Sequence, residues 1–262
     1  PYLKFNETKH ISHFYKTFIY LILAAYISPN FSVFIIFYYF NFLKKTELKN
    51  IFLSLFLCLL SSLPAFYYLF ILDINFLTAN TPGANINELV SLDFNISNKI
   101  LIISSVIFFQ LIPFLINKKF LNELLYSFKK NYFPVFIIFL VNLYFFDYVI
   151  EFTGGGFFFQ ISYFLLNNNL IFYFFSLVSL LIMAQFLKFN LSNLILYSLL
   201  ILSNIQNTIY HKYYDPLIMI LFFLITIHFL PKKFISNKKN LVSLYLFYLM
   251  FIFARIVKNS VF

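Results

Sequence analysis

The stretch that decides the fold is residues 44–72, which read KKTELKNIFLSLFLCLLSSLPAFYYLFIL. Its apolar run over 51–72 is long enough for a helix to cross a hydrocarbon core of about 30 Å. The run follows Lys44, Lys45 and Lys49, and lysine excess in short loops marks the cytoplasmic side of a bilayer. The stretch therefore predicts a transmembrane helix that starts inside at residue 51 and leads into an outer loop at Asp73.

The same alternation continues along the chain. Further apolar runs predict spans over 99–117, 133–150, 170–187, 193–209, 216–230 and 241–257. The connections predicted to lie inside carry Lys44, Lys45, Lys49, Lys118, Lys119, Lys129, Lys130, Lys188, Lys232, Lys233, Lys238 and Lys239. Only Lys99, Lys212, Arg255 and Lys258 fall outside or at outer helix ends, and all four glycines lie in the outer loops.

Composition supports this interpretation, because a chain that is 62% hydrophobic and 11% charged cannot assemble a water-soluble surface. We predict an all-α, polytopic transmembrane helical bundle with short or re-entrant helices and extracytoplasmic loops, forming one transmembrane domain over residues 1–262. The excess of Phe, Ile, Asn, Lys and Tyr indicates an AT-rich genome, so we expect a protein of the bacterial inner membrane.

Charge and cysteine content restrict the partners. The net charge of +10 lies at membrane boundaries and faces the lipid bilayer, so no nucleic-acid partner is predicted. Cys58 stands alone, which predicts neither a disulfide nor a thiolate metal site. We predict no metal and no cofactor, and the sequence leaves open whether a divalent cation takes part.

Three shorter segments need separate treatment. Apolar runs 14–28 and 31–43 flank Ser28-Pro29-Asn30, and they form either one kinked span or a re-entrant pair of half-helices, which Lys4, Lys9 and Lys16 favour. Residues 118–132 predict a short amphipathic helix on the inner leaflet. The apolar piece 157–166, which ends at Asn167-Asn168-Asn169, predicts a helix too short to cross that lies in the outer interface.

The first candidate site is the run Gly154-Gly155-Gly156. Three consecutive glycines in a glycine-poor chain predict backbone with positive φ or a close approach to another group. Asp147 and Glu151 precede them, four residues apart, and would share one face of a helix. The segment is either an anion-, cation- or sugar-binding loop, with Glu151 as base or metal ligand, or a flexible turn with two solvated acids.

The second candidate site is His211-Lys212-Tyr213-Tyr214-Asp215-Pro216, at the outer end of the predicted 216–230 span. A lysine and a histidine beside a helix N-terminus suit a phosphate or pyrophosphate headgroup. The alternative is interface anchoring by the tyrosines and a snorkelling Lys212. Arg255 would supply a second phosphate clamp or snorkel, and Gln160 lies close enough to the outer side to reach a ligand. We expect loops 73–98, 151–169 and 206–215 to surround one outer cavity.

Three of these features together resemble the GT-C superfamily of polyprenyl-phosphate-dependent membrane glycosyltransferases. They are the paired short runs around Ser28-Pro29-Asn30, the span ending at Leu59–Tyr68 before a long loop with Pro82-Gly83, and the entry into a late span through His211–Pro216. The likeness is loose and covers most of the chain. Where the superfamily has a basic residue before the first proline, this chain has Ser28.

The resemblance implies transfer of a sugar from a lipid-phosphate donor to an acceptor hydroxyl on the extracytoplasmic face. It implies that Lys212 binds the donor phosphate, with His211 and Tyr213 nearby. Such proteins carry their catalytic acid in a first outer loop that has no counterpart here, so we expect an N-terminally truncated chain whose main base lies upstream of Pro1. The alternatives are a transporter or flippase for a lipid-linked or small polar substrate, and a non-catalytic membrane subunit.

Overall fold

The structure is a computed structural model that describes residues 1–72, 95–113, 118–149, 154–187, 190–203, 209, 214 and 238–261. These residues are mostly helical, and the described ranges contain no β-strand, so the all-α prediction is confirmed for them. The helices are α1 (Tyr2–Thr8), α2 (Ile11–Ile27), α3 (Ile35–Phe42), α4 (Leu48–Phe70), α5 (Ile96–Leu111), α6 (Lys118–Tyr144), α7 (Gly156–Leu166), α8 (Leu170–Leu187), α9 (Leu191–Leu202) and α10 (Lys238–Val261), with a 3-10 helix over Pro29–Phe34.

The chain divides into two compact units. Unit 1 comprises Pro1–Phe94 and Asn190–Asn207, and unit 2 comprises Asn95–Phe189 and Thr208–Phe262. Unit 1 is built on an aromatic cluster in which Phe5, Phe14, Phe18 and Phe42 are buried. The Phe42 ring lies 5.0 Å from Phe5 and 4.9 Å from Phe14, both edge-to-face, an arrangement that adds to the free energy gained from burial.

Helices α2 and α3 form an antiparallel hairpin, which is the course of the chain that the re-entrant alternative for residues 14–43 requires. Phe14 near the start of α2 packs on Phe42 at the end of α3, and Phe18 stacks on Tyr39 at 4.7 Å. Between the helices, Ser28 is extended and Pro29 opens the 3-10 helix. The chain therefore returns to the end from which it started, because proline cannot continue the hydrogen bonding of α2.

Helix α4 is the one described helix that is long and apolar enough to cross a membrane, over Leu48–Tyr68. Its 23 residues correspond to about 35 Å. Only 11% of its most apolar window is buried, and Phe52 is 67% exposed. In the other described helices the continuous apolar segments are only 10–17 residues long, which is short for a membrane crossing. The polytopic arrangement therefore stays a prediction, and the predicted span 216–230 lies outside the described residues.

Unit 2 is arranged around α5, whose residues from 101 to 109 are all buried. Helix α5 packs against α6, α7 and α8. Ser176 Oγ of α8 donates to the Leu101 carbonyl at 3.3 Å, and Tyr248 of α10 donates to Gln110 Oε1. A helix that is apolar on every side must be enclosed by neighbours or lipid, and here neighbours enclose it.

Two predicted boundaries are wrong. The amphipathic helix 118–132 and the span 133–150 form one helix, α6, which contains Pro134 and ends at Tyr144. One proline removes a single helix donor, and α6 continues through Pro134 despite this loss. The span 193–209 corresponds to α9, which ends at Leu202, and Ile209 instead forms a β-bridge. Helix α7, in contrast, confirms the short helix predicted over 157–166 and its end at Asn167.

Candidate functional site

The candidate site lies in unit 2 and starts from the glycine run. Gly154, Gly155 and Gly156 have φ angles of 80°, 73° and 84°. A Cβ on Gly154 would lie 2.6 Å from the Ile209 carbonyl oxygen, and one on Gly155 would lie 2.4 Å from Cδ1 of Phe159. Both reasons predicted for the run, positive φ and close approach, are therefore confirmed, since only glycine meets them without strain.

The group that approaches the glycines is the backbone of Ile209. Gly154 and Ile209 form an isolated parallel bridge, in which Gly155 N donates to the Ile209 carbonyl at 2.9 Å. Ile209 N donates to the phenol oxygen of Tyr148 at 3.3 Å, and both residues are buried. Ile209 is thus held through both of its backbone groups, by residues on either side of the 150–153 segment.

Gln160 stabilises the same turn from the first part of α7. Its Nε2 donates to the Gly154 carbonyl at 2.6 Å. The phenol ring of Tyr148 meets Phe159 edge-to-face at 5.2 Å. The start of α7 therefore holds the glycine turn through the Gln160 amide, and it packs against Tyr148 through the Phe159 ring.

Asp147 is the carboxylate of the site, and two asparagines of α5 hold it. Its Oδ1 accepts from Asn95 Nδ2 at 2.5 Å and from Asn98 Nδ2 at 2.7 Å, while its own N donates to Asn98 Oδ1 at 3.1 Å. Asn95 is also the N-cap of α5, because its side chain accepts from Asn98 N at 3.1 Å. We call Asn95, Asn98 and Asp147 the carboxylate clamp.

The expectation that Asp147 and Glu151 share a helix face is not met, because α6 ends at Tyr144 and Asp147 lies in non-helical chain. Lys99 was expected at an outer helix end, but its side chain is only 2% exposed, within the first turn of α5. This lysine directly follows Asn98 of the clamp, and its burial is costly for an ammonium group because the group loses its hydration.

The hydrogen bonds join three parts of the chain at one place. The start of α5 connects to Asp147, the adjoining Tyr148 connects to Ile209, and Ile209 connects to the glycine turn. We call this set the loop junction: the carboxylate clamp, Tyr148, Gly154–Gly156, Gln160 and Ile209. It contains a carboxylate that two side-chain amides hold in place, and a carboxylate can accept hydrogen bonds from hydroxyl groups or take up a proton.

The remaining predicted site residues are placed as follows. Glu151, His211, Lys212 and Tyr213 lie outside the described residues. Arg255 belongs to α10, of which only the backbone is described at that position. Tyr214 is fully buried. Within the described ranges, no three His, Cys, Asp or Glu side chains lie together as a metal ion would require.

Several residues of the junction were not predicted as site residues. These are Asn95, Asn98, Tyr148 and Ile209. A signal existed for Asn95, since an asparagine directly before an apolar run is typical of a helix N-cap. Tyr148 and its partner Ile209 are 61 residues apart in sequence, and Ile209 is at least 54 residues from Gly154 and Gly155. No local sequence pattern indicates such pairings.

No protein-family model, curated protein or solved structure matches this chain.

Proposed function

We propose that this protein is a membrane glycosyltransferase that transfers a sugar from a lipid-phosphate donor to an acceptor hydroxyl at the outer surface of the bilayer. The observation that carries the proposal is the loop junction. It gathers a fixed carboxylate, amide groups and a tightly constrained glycine turn beside the segment that leads to His211 and Lys212. Catalytic sites commonly combine such groups from separate loops on a rigid scaffold.

The short sequence distance between Ile209 and Lys212 also supports the proposal. Lys212 follows Ile209 by three residues, and three residues of chain reach at most about 11 Å. The predicted phosphate-binding lysine is thus tied by a short length of chain to a residue of the junction. Lys212 would supply the positive charge at the departing phosphate. Asp147 is the candidate within the described residues for the negative charge at the attacking hydroxyl, in place of the base expected upstream of Pro1.

The proposed reaction is a substitution at the anomeric carbon of the donor sugar. The acceptor oxygen forms the new bond to that carbon as the bond to the phosphate oxygen breaks, and the lipid phosphate leaves with the electron pair. A carboxylate accepts the proton of the acceptor hydroxyl. Lys212, together with Arg255 if that residue also binds phosphate, stabilises the charge that develops on the leaving group.

The membrane setting is supported by α4, which is long enough to span and exposes most of its apolar surface. Leu59, Leu63 and Phe52 are among its exposed side chains. Contiguous apolar surface of this kind is unfavourable in water and favourable in hydrocarbon. A lipid-linked donor would reach the site by diffusion within the same bilayer.

The first test compares Lys212→Ala with Lys212→Arg in cells that lack the wild-type protein. Losing a charge-assisted phosphate contact costs about 1.5–3 kcal/mol, which is roughly ten- to a hundredfold in transfer rate. The Arg variant should retain part of the activity because it keeps the charge. The measurement is transfer of labelled sugar from lipid-phosphate donors in isolated membranes. An Ala variant with wild-type turnover would remove the phosphate-site assignment, and unchanged transfer without the protein would remove the proposal.

A matched pair at Asp147 separates chemistry from structure in the same assay. Asp147→Asn keeps an acceptor oxygen for Asn95 and Asn98, whereas Asp147→Ala removes it. If the carboxylate is the base, the Asn variant should fold normally yet lose about a hundredfold or more of its transfer rate. A normal rate in the Asn variant would show that Asp147 serves only to hold the start of α5.

A further inference from the structure

The N-terminal part of unit 1 concentrates positive charge. Residues 1–50 contain six lysines and two glutamates, a net charge of +4. The lysines lie on α1 and directly after it, in the first half of α2, in the turn that follows α3, and in the first turn of α4. We call this set the basic end of unit 1: Lys4, Lys9, Lys16, Lys44, Lys45 and Lys49.

Specific contacts bring these separate segments together. Phe5 is 1% exposed in the aromatic cluster, which fixes α1 against the hairpin of α2 and α3. Lys45 Nζ donates to Asn6 Oδ1 at 2.9 Å, which places the α3–α4 turn beside α1. Tyr15 OH donates to Asn50 Oδ1 at 2.8 Å, which places the neighbours Lys16 and Lys49 at the same end.

All six lysines of the basic end are exposed. The pKa of Lys45 is lowered, first by its partial burial and second by the neighbouring charge of Lys9. Like charges held close together repel, and Glu7 and Glu47 neutralise only a third of them. The free energy of this arrangement would fall if an external anionic surface covered it.

The basic end also lies where α4 begins. Leu48 starts this helix between Lys45 and Lys49, and it is itself exposed, as is Phe52 one turn later. Positive side chains at the N-terminus of an apolar, membrane-length helix lie at the depth of the lipid headgroups when the helix is inserted in a bilayer. A nucleic-acid surface would instead present its cations on a face without adjoining apolar residues.

We propose that the basic end of unit 1 binds the headgroups of anionic phospholipids. The lipids neutralise the clustered lysines and hold α1 against the leaflet in which the α2–α3 hairpin begins and ends. This binding surface is independent of sugar transfer, because it uses none of the residues of the loop junction.

The test uses the whole protein reconstituted in phosphatidylcholine bilayers with a trace of spin-labelled lipid. The spectrum reports the fraction of labelled phosphatidylglycerol or phosphatidylcholine that is immobilised by the protein. We expect a preference for phosphatidylglycerol of about fivefold at low salt, the size of one lysine's attraction to an anionic leaflet. The preference should fall strongly as ionic strength rises from about 0.01 M to about 1 M, where screening shortens from about 30 Å to about 3 Å.

Two matched variants locate the effect. The triple variant Lys4→Gln, Lys9→Gln, Lys44→Gln removes three charges and spares Lys45, whose bond to Asn6 supports the fold. It should reduce the preference at least about twofold, whereas Lys→Arg at the same three positions should retain it. If the Gln variant does not fold, the salt dependence of the wild type and of the Arg variant decides the question.

Equal immobilisation of the two lipids by the wild type would overturn the proposal. A Gln variant that folds and keeps the full preference would do the same, since the selectivity would then arise elsewhere. Retention of nucleic acid or of an acidic protein by the wild type, without any lipid preference, would assign the basic end to a different partner and would also overturn it.

Discussion

Single residues decide the geometry of the loop junction. The run Gly154–Gly156 predicted positive φ, because consecutive glycines in a glycine-poor chain imply a backbone requirement. It did not predict that the approaching group is the backbone of Ile209. The local sequence indicates which backbone conformations a segment can adopt. The group that packs against the segment comes from elsewhere in the chain, so the local sequence does not identify it.

Gly154→Ala should destabilise the junction by about 1–3 kcal/mol. The alanine would be strained at φ +80°, and its Cβ would lie 2.6 Å from the carbonyl oxygen of Ile209. Asn167→Gly is the matched control, since Asn167 has φ 52° at the end of α7 and glycine adopts this conformation freely. Thermal unfolding in detergent would measure both. A Gly154→Ala protein as stable as wild type would contradict the described turn.

The carboxylate clamp was harder to predict from the sequence than the glycine run. Asp147 was expected on a helix with Glu151, but α6 ends three residues before it. Its partners Asn95 and Asn98 are about 50 residues earlier in the chain. The N-cap role of Asn95 can be recognised from the local sequence. That the side-chain amides of Asn95 and Asn98 donate to Asp147 depends on how α5 and α6 pack, which the local sequence does not show.

At the scale of elements, the course of the chain through the N-terminal hairpin could not be decided from composition. Lysine positions favoured a re-entrant pair but did not exclude one kinked span. Tyr15 bonds to Asn50 and Tyr26 bonds to the Ser61 carbonyl, so that α2 runs alongside α4 in the same direction with a constant offset of 35 residues. The hairpin therefore reaches only part of the way along α4, because Ile27 is the last residue of α2 and α4 continues to Phe70.

The hairpin predicts that Lys4 and Lys44 lie on the same side of the membrane. Cysteines placed singly at these positions, in a Cys58→Ala background, should react alike with a membrane-impermeant thiol reagent. Both should be protected in intact cells and labelled after permeabilisation, since the two lysines flank one antiparallel pair. Labelling of one position and protection of the other would mean that residues 14–43 cross the bilayer.

At the scale of the whole molecule, the all-α class follows directly from apolar runs separated by polar connections, and the described residues confirm it. The number of crossings follows less directly. Seven runs looked long enough, but the described helices other than α4 are interrupted by turns or polar ends that shorten their apolar lengths. An apolar sequence indicates that a helix avoids water, but it does not show whether protein or lipid surrounds the helix. Packing distinguishes the two cases: α5 is enclosed by other helices, whereas α4 exposes its apolar side chains.

We propose that the loop junction lies on the outer face of a membrane protein whose lysine-rich connections lie inside. The most direct measurement is labelling of single cysteines in intact cells with an impermeant thiol reagent, at Lys119, Lys233, Ala84 and Thr153 in a Cys58→Ala background. We expect that Ala84→Cys and Thr153→Cys are labelled, and that Lys119→Cys and Lys233→Cys are labelled only after permeabilisation. The opposite pattern would contradict the orientation and, with it, the proposed extracytoplasmic site.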